Sequence, residues 1–199
     1  MSLTDDIARP ENAKAYSEAH IYAACKAFIS TFTAPAINPK NIIQGWQNRM
    51  SLPPNTNEYA VMSIMFNKQH GTNIEAFDAS DPDKTKPGIL TVKGLVEVAV
   101  QIDYCSDSDD ARGRAQRLAI VSRSSIGVQF FNDRGMSILY ADDVQNSVFV
   151  DESEQYVKRY FTVLHLSVWD GISADFPYFD EAILSKVEDV NVHHPIHRR

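Results

Sequence analysis

The segment "ILTVKGLVEVAVQIDY", residues 89–104, alternates apolar and polar side chains in the way of a half-buried β-strand. Its apolar side chains share one face. The polar side chains on the opposite face are Lys93, Glu97, Gln101 and Asp103. An earlier apolar segment, residues 59–68, predicts a second strand, whereas residues 69–88 between the two show no periodicity and predict a long loop. Together these segments predict a long antiparallel hairpin.

A helix is predicted before this hairpin. It runs from a cap at Asn12 to about Phe32, and Pro35 prevents it from continuing. Its apolar residues recur at steps of three and four, which places them on one stripe of the helix. They are Ile21, Ala24, Cys25, Phe28, Ile29 and Phe32.

A second helix is predicted directly after the hairpin, over residues 107–125, with Gly127 as its terminator. Its inner stripe consists of Ala111, Ala115, Leu118, Ala119 and Ser122. Its arginines are expected to lie largely outside, and they are Arg112, Arg114, Arg117 and Arg123.

The rest of the chain adds strands and two polar ends. Short strands are predicted within residues 41–48, 137–144 and 147–151, a long final strand over 155–172, and a helical turn or two within 178–187. This order predicts an α+β fold in which two main helices pack on a mostly antiparallel sheet. A single domain is expected over residues 13–190, between a flexible N-terminal arm (1–12) and a flexible C-terminal tail (191–199).

Composition excludes several classes of function. The 199 residues are 44% hydrophobic, which predicts a folded protein, and their formal charge of −7 argues against binding to a phosphate backbone. No apolar run reaches the length of a membrane span, and the N-terminus does not have the pattern of a signal peptide. The only cysteines, Cys25 and Cys105, are far apart in sequence and are expected to be reduced, as in an intracellular protein.

Four aspartates fall within eight positions: Asp103, Asp107, Asp109 and Asp110. A capping interpretation explains the last three, because carboxylates are favoured in the first turn of a helix, where Ser106 or Ser108 can act as the cap. The alternative is a metal-dependent hydrolase that uses the Asp103–Asp110 cluster together with His165. The cluster lacks the glycine and the distal glutamate of a calcium loop, which favours capping.

Other signals of chemistry are weak. His165 lies in the final strand between leucines, where a packed or hydrogen-bonded histidine is the expected role. Cys105 precedes a helix start, which can lower a thiol pKa, but nothing else marks it as reactive. The sequence has no nucleophile elbow and no glycine-rich phosphate loop, so we expect neither an enzyme nor a bound cofactor.

The order of the segments resembles a known family. The strand "VEVAVQIDYCSDSDD" leads into an Arg/Ala-rich helix, and "RYFTVLHLSVWDGIS" is followed by the aromatic-acidic "YFDEA". With "NIIQGWQN" and "PPNTNEYAVMSI" upstream, the chain resembles the neck or tail terminator proteins of tailed bacteriophages and prophages.

The resemblance implies a structural protein without catalytic residues. Such a subunit assembles with copies of itself, usually as a hexameric ring, on the end of the tail tube. It ends polymerisation of the tube and takes part in joining it to the head, so its partners are the tail tube protein and the head–tail connector proteins. It implies the bacterial host cytoplasm during assembly and then the tail or neck of the virion. Another head-completion or tube-joining role is the alternative within phages.

Three sets of residues are candidates for this assembly. Lys84 and Lys86, in the predicted loop, could reach the next subunit or the tube, although a solvated loop is an equal alternative. Phe176, Tyr178 and Phe179 could form an aromatic interface, or cover the domain's own core. Glu97 and Asp103 could face the channel, where negative charge would let DNA pass without binding.

Overall fold

The structure, a computed structural model, describes residues 16–45, 58–78, 87–106, 110–147, 149–150 and 156–176. The helices are α1 (Glu18–Phe32), α2 (Asp110–Ser122) and α3 (Ser125–Asn132). The strands are β1 (Ile42–Gln44), β2 (Glu58–Asp78), β3 (Gly88–Ser106), β4 (Ser137–Ala141), β5 (Gln145–Asn146), β6 (Phe149–Val150) and β7 (Tyr156–Phe176). The predicted α+β class is confirmed.

The sheet is built around β3, the strand that carries the clearest alternation in the sequence. Its order is β1-β2-β3-β7-β4, and β5 and β6 pair further along β7. Only the β1–β2 pair is parallel among the described strands. The strands β2 and β7 flank β3 over almost its whole length, which confirms the long antiparallel hairpin and the long final strand.

The three α-helices of the described residues cover one face of this sheet, here called the core face. Even-numbered residues of β3 from Val98 to Tyr104 point into it, and Leu164, Leu166 and Val168 of β7 do the same. The stripe predicted on the first helix is buried there, with Phe32 packed at its margin. The ring of Phe28 lies 4.9–5.2 Å from the rings of Phe32, Phe130 and Phe131, so aromatic packing joins α1 to α3.

The predicted loop over residues 69–88 is wrong, because ten of these residues extend β2 to Asp78. The alternation is missing since most of these side chains are exposed, whichever face they point to. A bulge adds to the irregularity. The register moves from His70–Leu95 to Ile74–Lys93, and Gly71 takes a φ of 72° that favours glycine.

Three further expectations about the helices are wrong. The first helix begins at Glu18 after Ser17, not at a cap on Asn12. The second ends at Ser122, and Gly127 lies inside the separate helix α3. A β-carbon at Gly127 would overlap the carbonyl oxygen of Val121, so this glycine allows close packing of α3 on the end of α2.

Arg114 also differs from its predicted position, because it is only 2% exposed. Its Nε donates to the carbonyl oxygen of Pro35 at 3.0 Å, and its Nη2 donates to Glu58 Oε2 at 2.8 Å. These two acceptors lie on the segment after α1 and at the start of β2. A guanidinium therefore links three elements, and this explains why a charged side chain is buried on α2.

Ser124→Ala is expected to lower stability by about 1 kcal/mol, because Ser124 is the N-cap of α3. Its Oγ accepts from the backbone N–H of Gly127 and donates to the carbonyl oxygen of Val121. A fall in the melting temperature of about 2–4 °C checks this. Ser30→Ala is the control, since Ser30 bonds only within the exposed surface of α1 and should leave the melting temperature unchanged. Equal melting temperatures for wild type and Ser124→Ala would contradict the capping role.

Some predictions lie outside the described residues. These are the arm 1–12, the turn within 178–187 and the tail 191–199. The single domain over 13–190 stays a prediction.

Candidate assembly surface

The sheet extends well beyond the helices. The apolar core shared with the helices ends at Val96 of β3 and Val168 of β7. Beyond it, residues 70–78 of β2, 88–95 of β3 and 169–176 of β7 continue as three paired strands. This part, called the distal sheet, is about 26 Å long for its eight β3 residues. Two of its strands are the far end of the predicted β2–β3 hairpin, and β7 is the third strand.

Large apolar side chains are exposed on both faces of the distal sheet. By the strand alternation, Phe77, Ile172 and Phe176 lie on the same side as the helices. Ile74, Ile89 and Trp169 lie on the opposite side, where the Lys93 ammonium sits 5.1 Å from the Trp169 ring. Ile172 is 70% exposed, the largest value among these six residues. Exposed apolar groups at this density are typical of surfaces that another protein covers.

The two outer edges of the distal sheet differ. In the described part of the chain, β1 pairs with β2 only at residues 60–62, and β4 pairs with β7 only at 164–167. No described strand therefore lies on the outer side of residues 70–76 or 169–175, the side away from β3. The β7 edge is regular along its pairing with β3, whereas the β2 edge is interrupted at residues 71–73.

The residues predicted for assembly fall partly on this surface. Phe176 ends β7 and is 38% exposed, with its ring 6.3 Å from that of Phe77, so it belongs to the distal sheet and not to the core. Tyr178 and Phe179 lie outside the described residues, as do Lys84 and Lys86. Their part in assembly stays a prediction.

Glu97 is buried on the face opposite the core, where it joins four strands. Its Oε2 lies 2.6 Å from His70 Nε2, and its Oε1 lies 2.6 Å from His165 Nδ1 and accepts from the Tyr140 hydroxyl at 3.2 Å. The hydrogen bonds from His70 and His165 lower the pKa of Glu97, against the opposing effect of burial. The carboxylate is thus held ionised by its neighbours.

Asp103 lies on the same face and is also buried. Its Oδ1 accepts from Arg159 Nε at 2.8 Å, and Gln101 Nε2 contacts both of its oxygens. The hydrogen bond with Asp103 raises the pKa of Arg159. Both carboxylates, Glu97 and Asp103, are therefore enclosed by cationic or hydrogen-bonding partners. Whether this face lines a channel stays a prediction.

The structure separates the members of the proposed hydrolase site. Asp103 pairs with Phe161 and His165 with Ala99, so the two lie four residues apart along the sheet, about 13 Å. Asp110 lies in the first turn of α2, as capping requires, and Ser106 is the buried last residue of β3. Asp107 and Asp109 lie outside the described residues. Within the described ranges, no cluster of ligating side chains could hold a metal ion.

Both cysteines are free and buried. Burial raises the pKa of Cys25 to about 12, and burial also raises that of Cys105. The suggestion that a helix start lowers the pKa of Cys105 is wrong, because desolvation of the thiolate is the larger effect. His165 is packed and hydrogen-bonded, as expected.

Two features of this surface were not predicted from the sequence. The distal part of β2 was hidden by its lack of alternation, although the isolated Ile74 and Phe77 within a polar segment were a signal. The partnership of His70 with Glu97 depends on register across the bulge, which the sequence does not indicate.

The last observations concern membrane spans and similarity to known proteins. Among the described helices, none has both the length and the apolar character needed to cross a membrane. No curated protein matched the chain. The family model of phage neck terminator proteins matches residues 21–196, which include all of the core, the distal sheet and the Glu97 cluster. The chain therefore belongs to the phage neck terminator protein family, a family of structural proteins of the virion neck.

Proposed function

We propose that this chain forms a closed ring, usually of six copies, that caps the tail tube and ends its polymerisation. The ring then takes part in joining the tube to the head. The subunit is made in the bacterial host cytoplasm and works in the neck of the virion. Its partners are copies of itself, the tail tube protein and the head–tail connector proteins.

The observation that carries this proposal is the two-sided apolar surface of the distal sheet. A two-fold dimer uses one patch of each subunit, whereas a head-to-tail ring uses two different patches. The distal sheet has an exposed apolar group on each of its two faces, three residues on one and three on the other. One copy on each side would cover both groups, which is the arrangement of a ring.

The charge of the chain supports passage of DNA without specific binding. A formal charge of −7 repels phosphate, and affinity for DNA comes mainly from lysine and arginine side chains. DNA is therefore proposed to pass through the ring and not to hold it in place.

Purified protein added to growing tail tubes provides the test. We expect electron microscopy to show one ring at the tube end, and tube growth to stop once each tube carries a ring. Native mass measurement of the capped ends gives the number of copies. Unaltered tube growth with no bound ring would overturn the proposal. Binding to head connectors without binding to tubes would instead support a head-completion role.

Ile172→Asp is expected to abolish ring formation and capping while the subunit stays folded. The side chain is 70% exposed, so the substitution costs little in the isolated subunit, but in the ring it would bury a charge in an apolar contact. The readouts are ring occupancy at tube ends and tube length, with circular dichroism as the check of folding.

Ile120→Asp is the matched control, because Ile120 is 59% exposed on α2 and lies outside the distal sheet. It should cap tubes as the wild type does. Normal capping by Ile172→Asp would show that the distal sheet is not part of the interface between subunits. Equal loss in both variants would show that the effect is not specific to this surface.

A further inference from the structure

One buried nitrogen lacks a hydrogen-bond partner. Among the buried side-chain nitrogen and oxygen atoms of the described residues, only His165 Nε2 is unsatisfied. The residue is 6% exposed, and its other ring nitrogen is engaged by Glu97. An unsatisfied buried polar atom carries a free-energy cost and needs a physical explanation.

The group nearest to this nitrogen is a carboxylate. Asp142 Oδ1 lies 3.5 Å from His165 Nε2. No water fits on the line between two atoms at this separation, since each hydrogen bond to a water takes about 2.8 Å. With the ring proton on Nδ1, which faces Glu97, the neutral imidazole presents a lone pair to Asp142. Two acceptors then face each other. A second proton on Nε2 converts this contact into a donor and an acceptor.

Charged and aromatic groups surround the ring. Glu97 lies on one side of the imidazole and Asp142 on the other. The ring of Tyr140 stacks on it with centroids 4.0 Å apart, and a π face attracts a cation. On β2, Phe66 packs beside it at 6.1 Å, while His70 shares the Glu97 carboxylate and Lys68 is opposite Glu97 in register. His70 and Lys68 are thus the basic groups that β2 places beside this cluster.

Asp142 belongs to the connection between β4 and β5, which already touches β7 through its backbone. The Asp142 N–H donates to the carbonyl oxygen of Val163, and Thr162 Oγ1 donates to the carbonyl oxygen of Asp142, both at 2.8 Å. Its start is also held from the end of α2, because Arg123, the residue after this helix, donates to the carbonyl oxygen of Ala141 and to Asp143. A bond at Asp142 would therefore fasten a segment that runs along β7 at the edge of the sheet.

We infer that His165 is a proton-operated clamp, in which protonation of Nε2 forms an ion pair with Asp142 and fastens the β4–β5 connection to β7. The clamp is independent of the ring and of the distal sheet. Because the ion pair exists only with the protonated imidazole, its contribution to stability is present at low pH and is lost as the pH rises.

Asp142→Asn tests the clamp in the full-length protein. At pH 5.5 the melting temperature of wild type is expected to exceed that of Asp142→Asn by about 2–4 °C. By pH 8 this difference should close and change sign, because the amide of Asp142→Asn can donate to a neutral Nε2 whereas the wild-type carboxylate cannot. Asp143→Asn is the matched control, since Asp143 is the next acid along the chain and pairs with Arg123 at the exposed surface. Its difference from wild type should be the same at both pH values.

A second measurement does not depend on any variant. Nitrogen–proton correlation spectra of the histidine rings should show Nε2 of His165 gain its proton as the pH falls from 8 to 5. The backbone amides of residues 142–144 should become better protected from hydrogen exchange over the same range. A pH-independent difference for Asp142→Asn would overturn the clamp. So would an Nε2 signal that gains no proton.

Discussion

Glu97→Ala is expected to lower the free energy of unfolding by about 3–5 kcal/mol, the usual cost of removing one partner from a buried ionic cluster. The substitution leaves His165 Nδ1 buried without an acceptor and removes the contact shared by β2, β3, β4 and β7. Chemical denaturation at pH 7 measures the loss. Glu75→Ala, an exposed glutamate on β2, is the control and should change stability by less than about 0.5 kcal/mol.

The effect of Glu97→Ala should also depend on pH. Partners in the folded protein lower the pKa of Glu97 below its ordinary value of 4.5, so the carboxylate contributes fully above that pH. Its contribution is lost as the pH falls through the folded pKa. The gap between wild type and variant should therefore shrink in acid below pH 4.5. A gap that is already small at pH 7 would show that the cluster does not stabilise the sheet.

Arg114→Ala is expected to cost about 2–4 kcal/mol, less than Glu97→Ala because the remaining Glu58 side chain is 40% exposed and can be hydrated. The variant loses the bonds that join α2 to Pro35 and to β2. Arg114→Lys should recover only part of this, since an ammonium lacks the planar fork that donates to both acceptors. Thermal and chemical denaturation provide the measurement.

Arg117→Ala is the matched control for Arg114→Ala. Arg117 lies three residues further along α2 and donates to the carbonyl oxygen of Ala34, but it is exposed. Its loss should cost less than about 1 kcal/mol. Equal effects of the two substitutions would contradict the assignment of Arg114 as a buried link.

Periodicity predicted the parts of the fold in which one face meets the core and the other does not. Residues 98–104 of β3 alternate because only their even positions contact the helices, and the stripe of α1 is clear because α1 has one buried side. The α+β class follows from these elements. The family resemblance rested on the order of several segments, β3 among them, and the family match confirms it.

Periodicity failed to predict the parts of the fold in which burial does not separate one face of an element from the other. The distal part of β2 is exposed on both faces, so no alternation marks it as a strand. Arg114 is buried because its acceptors lie 79 and 56 residues away in sequence, and local pattern cannot indicate such partners. Glu97 and Asp103 were placed on the correct face, but their enclosure depends on side chains from three neighbouring strands.

The bulge at residues 71–73 of β2 also protects the chain against fibre growth. A fibre in which copies pair through their edge strands needs two regular, unpaired sheet edges on every copy. The β7 border is straight, but the left-handed Gly71 and the residues after it break the β2 border. Copies that pair edge to edge therefore cannot add another copy at the broken β2 edge. Assembly then depends on the exposed isoleucines and aromatic side chains, which favour a closed ring.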